Sequence, residues 1–129
     1  IDCVERLIPG KSCYAIKRLK KDDWFFKCHL EREKIMPGTL QIEVMLQALV
    51  LTIYTIQGHE GRLSYITDIN TKLISRVSPD CQLDVYADLL SYKRGIAIGE
   101  VKVMIEGVNI CKGKFTLISP HDMPLPKLN

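Results

Sequence analysis

One stretch of the chain, residues 36–57 with the sequence MPGTLQIEVMLQALVLTIYTIQ, predicts the element around which the fold is built. The proline-glycine pair opens a helix, and from Thr39 to Gln57 the apolar residues leave almost no polar face. A helix that is apolar nearly all round has to be covered on most of its sides. Because Gly58 is a natural helix end, we predict one long buried helix over residues 39–57.

The segments on either side of this helix carry strand patterns. Apolar and polar residues alternate along them, which indicates strands with one buried face, and turns with proline or glycine separate them. A β-bulge is predicted at Gly99-Glu100, where the apolar phase of one strand shifts. The proline-rich residues 119–129 are predicted to be an irregular tail. The predicted strands are residues 1–8, 12–19, 83–89, 96–105 and 110–119.

A length of 129 residues predicts a single domain over residues 1–129. One antiparallel sheet packed over one helix satisfies both patterns, because the apolar face of the sheet covers the helix, and the expected fold class is α+β. A single sheet cannot enclose a helix that is apolar all round. We therefore expect a second copy of the chain to cover the remainder, in a homodimer or a higher oligomer.

Composition excludes several function classes. A net charge of +3 is too mild for a nucleic-acid-binding protein, which needs a dense basic patch. The apolar run in the central helix is shorter than the roughly 20 residues that cross a membrane, and no secretory leader is expected. The five cysteines are scattered without a Cys-x-x-Cys pair, which predicts no zinc site and a reducing cytoplasmic location. The densest basic cluster, interpreted as a solvated turn, is Lys17, Arg18, Lys20 and Lys21.

A histidine and a carboxylate flank the start of the helix, with His29 and Glu43 lying 14 residues apart. The first backbone N–H groups of a helix have no partner within it, so Gly38 offers a donor to an oxyanion. Gln47 lies four residues after Glu43 on the same helix face. This set predicts a catalytic site, although a first-turn glutamate also suits the helix dipole and a lone histidine is often structural.

The remaining candidate residues are interpreted as structural. The segment before His29 is predicted to be the end of a strand, so that Cys28 and His29 point to opposite faces. Cys28 is then expected to be a buried, inert thiol. His59 and His121 are predicted to be solvated loop residues.

Three motifs resemble the β-hydroxyacyl-acyl-carrier-protein dehydratases of fatty-acid and polyketide synthesis. The resemblance implies a hot-dog fold, in which a long helix is wrapped by a curved antiparallel sheet. It also implies dehydration of a (3R)-hydroxyacyl thioester to the trans-2-enoyl thioester. The motifs are Trp24-Phe25-Phe26-x-Cys28-His29, Met36-Pro37-Gly38-x-Leu40 and Glu43-x-Met45-x-Gln47.

The resemblance assigns roles to four residues. His29 of one subunit works as a base with Glu43 of the other subunit, so that the dimer is the catalytic unit. Gly38 stabilises the oxyanion, and Gln47 orients Glu43 or a water. The partner is an acyl carrier protein, whose phosphopantetheine arm delivers the substrate, and no metal or redox cofactor is implied.

Two departures from the family pattern keep alternatives open. Residues 30–34 carry four charges where the family has apolar or turn-fixing residues, which predicts a looser loop. The aromatic lead-in to His29 resembles the double-bond-isomerising subtype, in which aspartate usually stands at the position of Glu43. The alternatives are an acyl-thioesterase, an enoyl isomerase or hydratase, and a non-catalytic hot-dog dimer module.

Overall fold

The computed structural model describes residues 1–30 and 32–124. All six strands form one antiparallel sheet in the order β1-β2-β4-β5-β6-β3. The long helix packs against β2, β4, β5 and β6, which is the predicted α+β hot-dog arrangement. The elements are β1 Cys3–Ile8, β2 Ser12–Leu19, α1 Trp24–Cys28, α2 Gly38–Tyr54, β3 Tyr65–Leu73, β4 Cys81–Lys93, β5 Ile96–Ile105, β6 Val108–Ile118 and a 3-10 helix Pro120–Asp122.

The predicted long helix is confirmed as α2, which begins one residue earlier than expected and ends three residues earlier. The helix ends at Thr55, because the next N–H, that of Ile56, donates to the Ile53 carbonyl oxygen at 3.1 Å, while the Thr52 carbonyl oxygen accepts from the Gly10 N–H at 2.7 Å. Met45, Ala48 and Leu49 have no exposed surface and form the centre of the core. In the described part of the chain, no helix is long and apolar enough to span a membrane.

One stripe of α2 is left uncovered by the sheet of its own chain. Glu43 and Gln47 are exposed, and the apolar residues at the same helical spacing are only half-buried. Residues three and four apart lie on one face of a helix, so these side chains form a single band. The half-buried members of the band are Leu40, Leu51 and Tyr54.

The β-bulge predicted at Gly99-Glu100 was wrong. Alternation runs unbroken through β5, and the extra residue lies instead in β4, between Leu89 and Ser91. Gly99 faces the core, where an added Cβ would stand 2.4 Å from the Leu49 Cδ1 atom. The outward-facing isoleucines of β5 produced the false phase shift, because the sequence does not distinguish an exposed isoleucine from a buried one.

The two edges of the sheet differ in character. β3 exposes Tyr65, Ile66 and Ile69 at 44–54% of their surface. β1, at the other edge, exposes the charged residues Glu5 and Arg6 and has a register shift between Val4 and Arg6. β3 also has a register shift, between Ile66 and Asp68, so both edges carry features that disfavour further pairing. The edges differ in length, nine residues in β3 against six in β1, and in exposed large apolar side chains, four in β3 against two in β1.

The tail predicted to be irregular contains the 3-10 helix, and residues 125–129 lie outside the described residues. Asp122 accepts hydrogen bonds from the Arg62 guanidinium and the Tyr92 hydroxyl. The Tyr92 hydrogen bond, followed by Arg62, holds the pKa of Asp122 below its ordinary 3.8, although burial acts in the opposite direction.

His59 belongs to the same polar cluster, so its predicted solvation was wrong. Its side chain is only 14% exposed, and its Nδ1 atom lies 3.8 Å from an Asp122 carboxylate oxygen. The ring also packs at a tilt against Tyr92. His121 is exposed, as expected. No local pattern in the sequence indicates that the tail folds back, and that contact is what covers His59.

Candidate active site

His29 follows the short helix α1, whereas the sequence predicted the end of a strand there. The chain turns at Asp23, whose carboxylate accepts from the Lys20 N–H at 2.9 Å. Phe25 and Phe26 then bury their rings 4.6 Å apart within one helical turn. Adjacent aromatic residues favour strands by propensity, but here their burial in the core favours a helix.

Cys28 is exposed, so the prediction of a buried thiol was also wrong. Its Sγ atom lies 3.4 Å from the Trp24 carbonyl oxygen, one helical turn earlier. The error follows directly from the strand interpretation. In a helix, consecutive side chains are about 100° apart rather than on opposite faces, and the turn that buries the two phenylalanines leaves Cys28 in solvent.

The His29 ring is exposed, and one of its nitrogens is engaged. Its Nδ1 atom lies 3.1 Å from the Ile35 carbonyl oxygen. A carbonyl oxygen only accepts, so Nδ1 carries the proton and donates it. In the neutral ring Nε2 is then unprotonated and available as a base. The hydrogen bond spans the charged loop, because Ile35 lies at its far end.

The start of α2 presents an uncapped backbone donor at Gly38. The Pro37 carbonyl oxygen accepts from the N–H groups of Leu40 and Gln41 at 3.0 and 3.2 Å, and no side chain caps the helix. The Gly38 N–H has no acceptor within the helix. A Cβ at Gly38 would meet the Leu73 Cδ1 atom at 2.4 Å, so a side chain here would displace Leu73.

Glu43 and Gln47 are joined as the sequence predicted. The Gln47 amide nitrogen donates to a Glu43 carboxylate oxygen at 3.1 Å. The Gln47 amide oxygen accepts from the main-chain nitrogen of Ile1 at 2.9 Å. Because its oxygen is held on one side, the amide is fixed in the orientation that donates to Glu43.

His29 and Glu43 do not meet within one protomer. Among the residues that the structure describes, no hydrogen bond or ion pair joins them, and both side chains are exposed. The candidate residues therefore lie in two separate places, one at the end of α1 and one on the uncovered band of α2.

Comparison with known proteins places the chain in a family. Residues 1–114 match the FabA-like domain. The chain belongs to the FabA-like family. It is 30% identical to the 3-hydroxyacyl-[acyl-carrier-protein] dehydratase FabZ of Pediococcus pentosaceus, over 92% of this chain and 80% of the relative. The dehydratase FabZ of Clostridium novyi is also 30% identical, over 83% of this chain and 76% of the relative.

Solved structures share the fold of this FabA-like protein at low sequence identity. The uncharacterized protein PH1136 of Pyrococcus horikoshii has a TM-score of 0.73 at 14% identity, covering 91% of this chain and 81% of that one. A hypothetical thioesterase of Streptococcus pneumoniae with coenzyme A has a TM-score of 0.70 at 12% identity, covering 91% and 84%. These similarities establish the hot-dog architecture.

Sequence reasoning missed Gln41, a buried polar residue in the first turn of α2 of this FabA-like chain. It is 4% exposed, and its amide oxygen has no hydrogen-bond partner among the described residues. A polar residue inside an apolar helix was the available signal. Elsewhere in residues 1–30 and 32–124, no group of three or more histidines, cysteines and carboxylates is placed to hold a metal ion.

Proposed function

We propose that this protein dehydrates a (3R)-hydroxyacyl thioester, carried on an acyl carrier protein, to the trans-2-enoyl thioester in fatty-acid or related polyketide synthesis. The observation that carries the proposal is the hydrogen bond between His29 Nδ1 and the Ile35 carbonyl oxygen, which makes Nε2 the unprotonated nitrogen of the neutral ring. The FabA-like membership and the names of the two dehydratase relatives support the substrate class.

The reaction begins with loss of a weakly acidic α-proton. A base with a pKa near neutrality suits this task, and histidine has one. The His29 Nε2 atom takes the proton, while the bond from Nδ1 to the Ile35 carbonyl holds the ring in the tautomer that can accept it. Negative charge then gathers on the thioester carbonyl, where the Gly38 N–H can stabilise it.

The second step expels the β-hydroxyl group, which needs a proton to leave as water. Glu43 supplies that proton directly or through a water. Gln47 holds the carboxyl by its amide hydrogen bond. One proton is taken from the α-carbon and one is given to the leaving oxygen, so the products are the enoyl thioester and water.

A two-fold dimer would complete the site and cover the open surfaces. The uncovered band of α2 and the outer edge of the apolar strand β3 both lack a partner within the described part of the protomer. Edge strands with exposed apolar residues are normally paired or covered. Pairing β3 with its copy would continue the sheet, and would bring His29 of one subunit to Glu43 of the other.

The reaction transfers two protons, breaks one C–O bond and forms one C=C bond without any net oxidation or reduction, so the proposal needs neither a metal nor a redox cofactor. The substrate arrives on the phosphopantetheine arm of the carrier protein. Five free cysteines suit a reducing compartment, and we place the enzyme in the cytoplasm.

The proposal is tested with purified protein and a (3R)-hydroxybutyryl thioester of the carrier protein. Growth of enoyl absorbance, without release of free thiol, is the expected result. Free thiol without enoyl product would identify a thioesterase instead. Conversion of a trans-2-enoyl to a cis-3-enoyl thioester is measured in parallel and reports the isomerase alternative. Absence of all three activities in a folded dimer would overturn the proposal in favour of a non-catalytic module.

A further inference from the structure

The outer face of the sheet carries three lysines directly opposite one another on neighbouring strands, a set that we call the lysine row. Lys102 of β5 is the register partner of Lys112 of β6, and Lys112 is also the register partner of Lys72 of β3. All three are exposed. Within the described ranges, none of them forms an ion pair with a carboxylate.

The lysine row is unfavourable for the free chain. Like charges directly opposite on adjacent strands destabilise a sheet, and Lys112 has a lysine on each side. Lys114 lies two residues further along β6, and side chains two apart share a face of a strand. Lys102 is held in place, because its Nζ atom lies 5.4 Å from the centre of the Tyr86 ring. An arrangement that works against local stability is typical of a functional surface.

The neighbouring row holds two carboxylates and one lysine. Asp88 of β4 is the register partner of Glu100 of β5, and Glu100 is the register partner of Lys114. Both carboxylates are exposed, and neither forms an ion pair with any residue that the structure describes. Both rows line one concavity of about 500 Å³ on the outer face.

We propose that this concavity docks an acidic α-helix of a partner protein. Neighbouring strands are about 4.8 Å apart, so the lysine row spans about 10 Å. Carboxylates at positions i, i+4 and i+7 of a helix also span about 10 Å, since each residue rises about 1.5 Å. A helix lying across the strands therefore sets one carboxylate against each lysine. This docking is independent of the dehydration proposed above.

The charge pattern selects a protein helix over other anions. A nucleic acid or an anionic membrane presents negative charge continuously, and would meet Asp88 and Glu100 as well as the lysines. A second copy of this chain would bring a lysine excess against a lysine excess, because the concavity holds four lysines and two carboxylates. A helix can place a stripe of acidic side chains against the lysine row and a basic side chain against Asp88 and Glu100.

The test compares two triple variants with equal loss of charge. The first is Lys72→Gln with Lys102→Gln and Lys112→Gln. The matched control is Lys11→Gln with Lys20→Gln and Lys93→Gln, all of which are exposed lysines outside the concavity. The probe is a labelled helical peptide with glutamates at i, i+4 and i+7, measured by fluorescence anisotropy at low and at physiological salt. A second peptide of the same composition has its glutamates spread around the helix.

The patterned peptide is expected to bind the unmodified protein, and to bind the first variant about tenfold or more weakly, because three charge-assisted contacts are lost. The control variant should stay within about twofold, since distant exposed charges are screened by salt. The Tm of the first variant without peptide should equal or exceed that of the unmodified protein. Equal losses in both variants, equal binding of the spread peptide, or a large drop in Tm would overturn the proposal. So would tighter binding of duplex DNA or anionic vesicles through the same three lysines.

Discussion

Two polar regions of this protein contrast in how far the chain satisfies its own groups. Around Asp122, the carboxylate accepts from Arg62 and Tyr92, and the pieces come from the α2–β3 loop, β4 and the tail. In the candidate site, His29 and Glu43 are exposed, and among the described residues each side chain makes one hydrogen bond. The Asp122 carboxylate is satisfied within the protomer and helps to hold the fold together, although the neighbouring His59 Nδ1 atom has no hydrogen-bond partner among the described residues. His29 and Glu43 are oriented by hydrogen bonds but remain exposed, so they are placed to contact a substrate or a second subunit.

The largest expected effect is the loss of activity when the candidate active site is changed. His29→Ala and Glu43→Gln should each lower the dehydration rate by roughly 10²–10⁴-fold, which is the usual contribution of a proton-transferring residue. Thermal unfolding should be nearly unchanged, because neither side chain is buried. Steady-state assays of both variants, with circular dichroism melting as the control, measure this.

Mixed dimers sharpen the same prediction. Co-expression of the two single variants should restore part of the activity, because each mixed dimer regains one intact site with His29 from one subunit and Glu43 from the other. Activity that stays absent in verified mixed dimers, or near-normal turnover of Glu43→Gln, would contradict the shared-site mechanism.

A change in the cluster around Asp122 should lower stability and leave activity unchanged. Asp122→Ala removes two hydrogen bonds to a charged group, so the free energy of unfolding should fall by about 2 kcal/mol, while the rate per folded enzyme stays unchanged. Urea unfolding measures the loss. Asp22→Ala is the control, because Asp22 is exposed. If Asp122→Ala lowered turnover without lowering stability, the distinction between a stabilising cluster at Asp122 and a catalytic site at His29 and Glu43 would be wrong.

The pH dependence of stability gives a third, smaller effect. The pKa of Asp122 in the folded protein is lowered from 3.8, first by the Tyr92 hydrogen bond. A group with a lowered folded pKa stabilises the protein above its unfolded pKa, and this stabilisation is lost as pH falls through the folded pKa. Unfolding free energies measured below about pH 5 should therefore decline less steeply in Asp122→Asn than in the unmodified protein. If the free energies of unfolding of both proteins declined with equal slopes at acid pH, Asp122 would not contribute to the pH dependence of stability.

The smallest effect concerns the loop after His29. Leu30→Phe with Lys34→Pro restores a family-like loop and should raise the rate on a short-chain hydroxyacyl thioester by roughly threefold, since better preorganisation of the base lowers the barrier. The gain is small because the hydrogen bond to the Ile35 carbonyl already holds the ring. A folded double variant with an unchanged or lower rate would show that the loop does not limit turnover.

The sequence predicted the parts of the fold that depend on periodicity. The helix predicted over residues 39–57 is present as Gly38–Tyr54, and the strand alternation from 83 to 89 is present, because long apolar patterns leave little choice of structure. The predictions failed where tertiary contacts determine the secondary structure or the face on which a residue lies. Trp24-Phe25-Phe26 has strand propensity but forms a helix, and Gly99 lies on the core face of β5, where a side chain would collide with Leu49.

For the candidate site, residue types and spacing were enough to select His29, Gly38, Glu43 and Gln47, and the Glu43–Gln47 hydrogen bond follows from their i, i+4 spacing. The carbonyl that fixes the His29 tautomer could not be predicted, because it depends on how the loop folds back. The burial of His59 was equally inaccessible, since the tail that covers it is separated from it by four strands.

The unequal edges of the sheet have a consequence for assembly size. A sheet that could pair at both edges would add copies without limit and form fibres, whereas pairing at one edge about a two-fold axis closes after two copies. β3 is the longer edge strand and exposes four large apolar side chains, whereas the shorter β1 exposes two and carries Glu5 and Arg6, so addition is favoured at β3. Replacing Glu5 and Arg6 by β-branched apolar residues would make the β1 edge apolar as well, and the same protein would then be at risk of polymerising.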